Sequence, residues 1–266
     1  MTAADTAAEL LSVAREAASA ACTLVHTNRP DSLSVSTKST ATDHVTDMDR
    51  ASEALIREVI ADRRPDDAVV GEEEGGDAAL SGVTWWVDPI DGTTNYVYDH
   101  PGYAVSVAAW VDGTPTAAVV EDPTHARTYW ATAGGGAFCN GHRLVLGDPP
   151  PLAQMLVATG FGYEARRRRA QGQVVAELLG EVRDIRRMGA AAVDLCSVAS
   201  GRVDAYFEVG LSRWDLAAGM LVAAEAGATV ESIEGGPPRA ESVLACHPGR
   251  IDELRGLLVG LGAHRV

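Results

Sequence analysis

Hydrophobic positions follow two periods along this chain, and the changeover between them marks out its elements. Leu10, Leu11, Ala14, Ala18, Ala21 and Val25 recur at helical spacing, so the segment from Asp5 to Val25 predicts an amphipathic helix. After Asn28-Arg29-Pro30, the Ser/Thr-rich stretch from Leu33 to Val45 predicts a short hairpin containing Lys38, and Asp47 to Arg63 a second helix. Thr46 followed three residues later by Asp49 has the form of a capping box, so a structural role for Asp49 is available at once.

Strand signals then take over. Ala68-Val69-Val70 predicts a short buried strand that ends at Gly71 and three glutamates, Glu72 to Glu74. Tyr103 to Val111, Thr116 to Glu121, Arg127 to Ala131 and Ala137 to Leu146 are separated by Asp112-Gly113, Asp122-Pro123, Gly134-Gly135-Gly136 and Asn140-Gly141, the punctuation of an antiparallel meander. Gly147-Asp148-Pro149-Pro150-Pro151 can continue neither helix nor strand, and the division between an N-terminal half (1–147) and a C-terminal half (152–266) is expected there. Beyond it strands near 155–159, 184–187, 204–209, 229–233 and 243–246 alternate with helices near 164–179, 191–199, 214–226 and 250–261. The expected class is α/β with α+β layering, in which helix and sheet layers alternate.

Composition narrows the function more than the fold. With 266 residues, 46% hydrophobic, the chain can bury a substantial core, and charged residues in its first helix argue against a secretory signal, so a cytoplasmic protein is expected. The four cysteines are far apart and form neither a disulfide framework nor a zinc pattern. A net charge of −15 disfavours nucleic acid and anionic membranes as partners, and equally disfavours unaided binding of a phosphate ester. An anionic substrate would need clustered carboxylates to recruit a divalent cation. The exception to the acidic balance is Arg166 to Arg169, read as a solvated helix face or a phosphate or RNA contact.

The candidate chemistry sits at Trp85-Trp86-Val87-Asp88-Pro89-Ile90-Asp91-Gly92-Thr93-Thr94-Asn95. Here an apolar strand is expected to stop at a proline between two aspartates, before a Gly-Thr-Thr turn with a helix start. Such a stretch can hold a cation beside an anion; Asp-Pro and Asp-Gly are also ordinary turn dipeptides. Glu72 to Glu74 repel one another unless solvated or offset by a metal. Asp215, in Trp214-Asp215-Leu216-Ala217-Ala218-Gly219, fits a helix cap as well as a ligand, and the small residues after it permit close helix approach.

Taken together, Gly71-Glu72-Glu73, Asp88 to Asn95 and Trp214 to Gly219, in that order and at those separations, resemble the motifs of the inositol monophosphatase family over residues 34–227. The resemblance implies a magnesium-dependent phosphate monoesterase of layered helices and sheets, inhibited by lithium and assembled as a homodimer. Matched residue by residue, Glu72, Asp88, Asp91 and Asp215 fall on side-chain metal ligands and Ile90 on a carbonyl ligand, for roughly two or three Mg²⁺ ions. Gly92 and Thr93 fall where phosphate is met. Thr93, Asp49 and Glu72 form the implied catalytic set, Asp49 pairing with Thr93. Ala191 and Glu208, together with Asp215, fall on substrate positions, and Lys38 matches a lysine near the metals. Ala190 departs from the Ser or Thr common in relatives, and Arg187 is open to either substrate or a dimer neighbour. The implied reaction is hydrolysis of myo-inositol monophosphate by metal-activated water. The same chemistry on fructose 1,6-bisphosphate, histidinol phosphate or a 3′-phosphoadenosine nucleotide is the alternative, and an accessory role in RNA machinery is a rival of another class.

Overall fold

The computed structural model describes residues 3–266. The first helix, α1 (Ala3–Cys22), ends in a π-helical turn, Thr23–Thr27, three residues short of the predicted Val25. The hairpin β1 (Val35–Thr37) and β2 (His44–Thr46) follows, then α2 (Asp47–Arg63) and β3 (Ala68–Gly71). Next come β4 (Val83–Asp91), the short α3 (Thr93–Val97), β5 (Ala104–Val111), β6 (Thr114–Asp122), β7 (Arg127–Thr132), β8 (Gly136–Cys139) and β9 (His142–Leu144). Strands β3 to β9 form one sheet in chain order, parallel at β3–β4 and antiparallel elsewhere, so the predicted meander is its bulk.

The later elements are β10 (Leu156–Thr159), α4 (Ala165–Leu178), β11 (Asp184–Arg186), α5 (Ala191–Ala199) and β12 (Ala205–Glu208). They continue with α6 (Arg213–Glu225), β13 (Thr229–Glu231), β14 (Val243–Cys246) and α7 (Ile251–Gly260). A smaller sheet has the order β11-β10-β12-β14-β13, with β10 parallel to both its neighbours and β14 antiparallel to both of its own.

The period-2 alternation of the central strands decides the layering. Odd-numbered residues Trp85, Val87, Val105, Val107, Ala109, Ala117 and Val119 pack on α1 and α2 through Leu10, Val13, Ile56 and Ile60. Even-numbered Ala104, Ala108, Ala118 and Val120 face α5 and α6 through Ala192, Val193, Ala217 and Leu221. The other side of α5 and α6 meets the smaller sheet at Ala158, Tyr206, Val243 and Ala245. That sheet is covered beyond by Val174, Leu178, Leu254 and Leu258 of α4 and α7. Helix, sheet, helix, sheet and helix therefore stack in turn. All nine residues of α5 are buried because it lies between two sheets. At Gly219 a side chain would meet Leu195 Cβ at 2.8 Å, so the small residues of α6 do admit α5 closely.

One local expectation changes. The strand before Pro89 does not stop there: β4 runs on to Asp91, and its register against β5 shifts between Asp88 and Asp91. Proline lacks the N–H that the ladder requires, and an irregularity lets the strand continue past it. The effect is to bring both aspartates to the strand's end.

Candidate active site

The end of β4 opens into a cleft of about 500 Å³ between the two sheets. Glu72, Asp88, Ile90, Asp91, Gly92, Thr93, Ala191, Glu208 and Asp215 all line it, with Lys38, Arg167 and Arg187. Asp49 is fully buried behind Thr93. Thus residues from β1–β2, β3, β4, α5, β12 and α6 converge, although 143 positions separate Glu72 from Asp215 (215 − 72).

Each pocket aspartate is tethered by one oxygen. Asp88 Oδ1 accepts from the amide of Ile90 at 3.1 Å, Asp91 Oδ2 from Ala192 at 2.7 Å, and Asp215 Oδ2 from Ser212 at 2.7 Å. The Asp215 bond belongs to a capping box at the start of α6. Asp49 shows the same duality: its Oδ2 accepts from Thr46 N at 2.8 Å and Thr46 Oγ1 at 2.6 Å, completing the cap of α2. Its Oδ1 accepts from Thr93 Oγ1 at 3.1 Å. Cap and site were alternatives in the sequence; the two oxygens of one carboxylate serve both. A tethered carboxylate is pre-oriented, and its second oxygen keeps its lone pairs for another partner.

The three glutamates at the end of β3 diverge. Glu72 faces the cleft and takes a 2.9 Å bond from Lys38 Nζ, which also binds Glu73, while Glu74 lies 3.5 Å from Arg57 and stays exposed. Part of the repulsion anticipated among them is thus relieved by protein cations. Gly92 turns the chain into α3 at φ 88°, a conformation that favours glycine, with the Gly102 and Gly189 carbonyls close to where a Cβ would stand. Ala191 opens α5, and Glu208 accepts from Tyr206 Oη at 2.6 Å. Gly160 leaves room for the Glu208 carboxyl, since a Cβ there would lie 2.0 Å from Oε2. Arg213, a conceivable partner for Glu208, instead lies over the rings of Trp86 and Trp110 at 5.3 and 5.2 Å.

Concentrated negative charge dominates the electrostatics. Burial pushes Asp88 well above the usual carboxylate range, and Glu72, Asp91 and Asp215 push it further. Asp91 is raised by burial and then by Asp215. Asp215 is pushed up to about 7 by withdrawal from solvent and by Glu72. Asp88 lies close to both Glu72 and Asp215, and carboxylates so placed repel one another. Among the described residues no three side chains already form a closed cage for an ion. The donor chemistry nevertheless fits a hard divalent cation: every donor is oxygen, the charges repel, and the aspartates are held by one oxygen each.

The description of the inositol monophosphatase family matches residues 6–259 of this chain. The chain belongs to the inositol monophosphatase family. It is a phosphoric monoester hydrolase, as the expectation from its motifs held, and the family is generally metal-dependent. An inositol-1-monophosphatase of Mycobacterium leprae is 45% identical over 235 residues, covering 84% of this chain and 81% of that protein. A relative named Nus factor SuhB in Escherichia coli is 40% identical over 231 residues, covering 85% and 86%. The crystal structure of extragenic suppressor protein suhB from Bartonella henselae superposes with a TM-score of 0.87 at 32% identity, covering 93% of this chain and 97% of that one. The layered α/β class read from the sequence is the fold of the family.

Several residues at the cleft escaped the sequence reading. Ala192 and Ser212 act through backbone amides and leave no side-chain signal. Tyr206 was detectable, two positions before Glu208 on one strand and so on the same face. Arg167 was submerged in the arginine run. It lines the cleft, and its Nε donates to the Val266 carbonyl at 3.3 Å, while Arg168 donates to the Tyr163 carbonyl at 2.5 Å. Arg166 and Arg169 alone of the four are exposed.

Proposed function

We propose that this protein hydrolyses myo-inositol monophosphate to inositol and phosphate, with Mg²⁺ held by Glu72, Asp88, Asp91, Asp215 and the Ile90 carbonyl. The observation that carries the reading is the convergence of four carboxylates on one cleft with the Thr93–Asp49 pair. Without added positive charge that cleft would repel a phosphate dianion. Roughly two or three magnesium ions, when bound, supply that charge together with the Lewis acidity for attack by water.

The chain's own groups then have definite tasks. Thr93 Oγ1 has one proton, directed at Asp49 Oδ1 at 3.1 Å or the Ile90 carbonyl at 3.0 Å, so its lone pairs are turned to accept from a water in the cleft. Asp49, raised by burial that outweighs its bonds from Thr46, is suited to hold a proton passed through Thr93. Glu72 completes this set at the cleft wall. Glu208 has only acceptor oxygens when ionised and would select hydroxyls of the leaving alcohol, with Ala191 leaving space beside it. A small phosphate monoester is thus the substrate class, and an inositol phosphate the member best matched to a hydroxyl-accepting carboxylate. The resemblance further supports lithium inhibition and a cytoplasmic homodimer. Among the described residues no helix is long and apolar enough to cross a membrane. The inward turn of Arg167 and Arg168 leaves little of the arginine run to support an RNA surface.

The test is a phosphate-release screen over inositol 1-phosphate, fructose 1,6-bisphosphate, histidinol phosphate, a 3′-phosphoadenosine nucleotide and an aryl phosphate, with Mg²⁺ and with chelator. Inositol 1-phosphate should give the highest kcat/KM, and only with Mg²⁺. Preference for another ester would overturn the substrate, and activity in chelator the metal.

A further inference from the structure

One face of α2 reaches two parts of the cleft. Asp49 meets Thr93, and Glu53, four residues on and therefore on the same face, meets the turn that follows β3. Glu53 is fully buried. Its Oε2 accepts from the amide of Glu73 at 2.7 Å, and its Oε1 from the amide of Glu74 at 3.0 Å. Arg57, another four residues on, donates to Glu53 Oε1 at 2.9 Å and spans the same turn, reaching the carbonyls of Val69 at 3.2 Å and Gly75 at 2.6 Å. Gly71 makes room for this arrangement, since a Cβ there would lie 2.2 Å from Glu53 Oε1.

Packing alone does not account for such a group. A buried ion pair is no more stabilising than well-packed apolar side chains of similar volume, and losing one partner is costly. What two directed carboxylate bonds do, and an apolar contact cannot, is fix the orientation of two successive amides. Those amides immediately follow Glu72. Their orientation sets the direction in which the Glu72 side chain leaves the backbone, in a run where Lys38 and Arg57 offset only part of the repulsion among the three glutamates.

We propose that Glu53 is a positioning residue for the cation site: clamped by Arg57, it holds the 72–75 turn so that Glu72 is presented to Asp88 before any ion arrives. Affinity for the divalent cation then depends on a carboxylate that never touches it. The proposal rests on the reading of Glu72 as a ligand, and the experiment separates the two.

Metal-free wild type, Glu53→Gln and Glu72→Gln are titrated with Mg²⁺ alone by calorimetry, and phosphate release is measured against Mg²⁺ concentration. Glu53→Gln replaces one acceptor with an N–H₂ facing a backbone N–H. It should weaken Mg²⁺ binding roughly 10-fold or more, the scale of losing a group that orients a ligand. Its kcat at saturating Mg²⁺ should stay within about threefold of wild type, a split that general loss of structure does not produce. A folded Glu53→Gln protein that binds Mg²⁺ within about twofold of wild type, while Glu72→Gln binds it weakly, overturns the proposal and leaves the ligand reading standing. Unchanged Mg²⁺ binding by Glu72→Gln removes the ligand reading and the proposal together. If Glu53→Gln does not fold, Gly71→Ala decides by the same criterion, because its methyl displaces the carboxylate without removing its charge.

Discussion

Asp91 Oδ2 accepts a 2.7 Å hydrogen bond from the amide of Ala192, tying the end of β4 in the larger sheet to the first turn of α5 across 101 positions of sequence. The bond fixes one carboxylate oxygen against a helix start, where negative charge is favoured, and leaves the other for the cleft. It also makes the site sensitive to the packing of α5 between the two sheets.

Asp88→Asn should lower kcat/KM by at least on the order of 100-fold at saturating Mg²⁺, since it removes a charge from the proposed ligand set with almost no change of shape. Circular dichroism should show an intact fold. Near-normal turnover by the folded variant would sink the ligand assignment for Asp88.

Thr93→Ala and Asp49→Asn should each reduce kcat by on the order of 100-fold, and the double variant little more than either, because the 3.1 Å pair is proposed to act on one water. Both changes remove the buried Thr93–Asp49 bond, but the Asp49 change should lower melting temperature further, by an amount corresponding to about 1 kcal/mol, since Asp49 additionally caps α2. A thermal melt beside a double-mutant cycle separates the two tasks. Additive catalytic losses would mean that the residues do not work as a unit.

Removing metal should make stability strongly dependent on pH. Asp88, Asp91 and Asp215 are raised by burial and by neighbouring carboxylates, Glu72 among them, Asp215 to about 7, so from about pH 4 to about 7 the folded metal-free protein binds more protons than the unfolded chain. Its stability is therefore greatest below the unfolded carboxylate pKa and falls as pH rises through the folded values. Asp194 adds to the trend: it is fully buried, raised by burial and by Glu208, and neither carboxylate oxygen has a hydrogen-bond partner among the described residues. If Mg²⁺ binds as proposed it favours the charged forms of these carboxylates, so the gap between loaded and metal-free melting temperatures should widen with pH. Melts in chelator and in saturating Mg²⁺ across that window check this; a metal-free melting temperature that climbs with pH would contradict it.

Glu208→Gln should cost about 2 kcal/mol of transition-state stabilisation on inositol 1-phosphate, the scale of a hydrogen bond to a charged acceptor, and almost nothing on an aryl phosphate without hydroxyls. The measurement is kcat/KM for both esters in both proteins. An equal loss on the two would assign Glu208 to support of the site, through its bond with Tyr206, and not to selection of the alcohol.

By itself, the sequence determined whatever is local or carried in a motif. The alternation of apolar residues set nearly every element, because burial on one face imposes a period that neighbouring residues alone display. The spacing of acidic motifs identified the family, and the Thr46–Asp49 capping box could be read from three residues of separation. Only the tertiary structure decided that Asp49 caps and also meets Thr93, that Glu53 clamps the turn after Glu72, and that α5 lies between two sheets with its amide on Asp91. Each of these is a contact between segments tens of residues apart, often through a backbone N–H that no side chain announces. Their distances are fixed by layer packing, so they exist only once the sheets and helices have stacked.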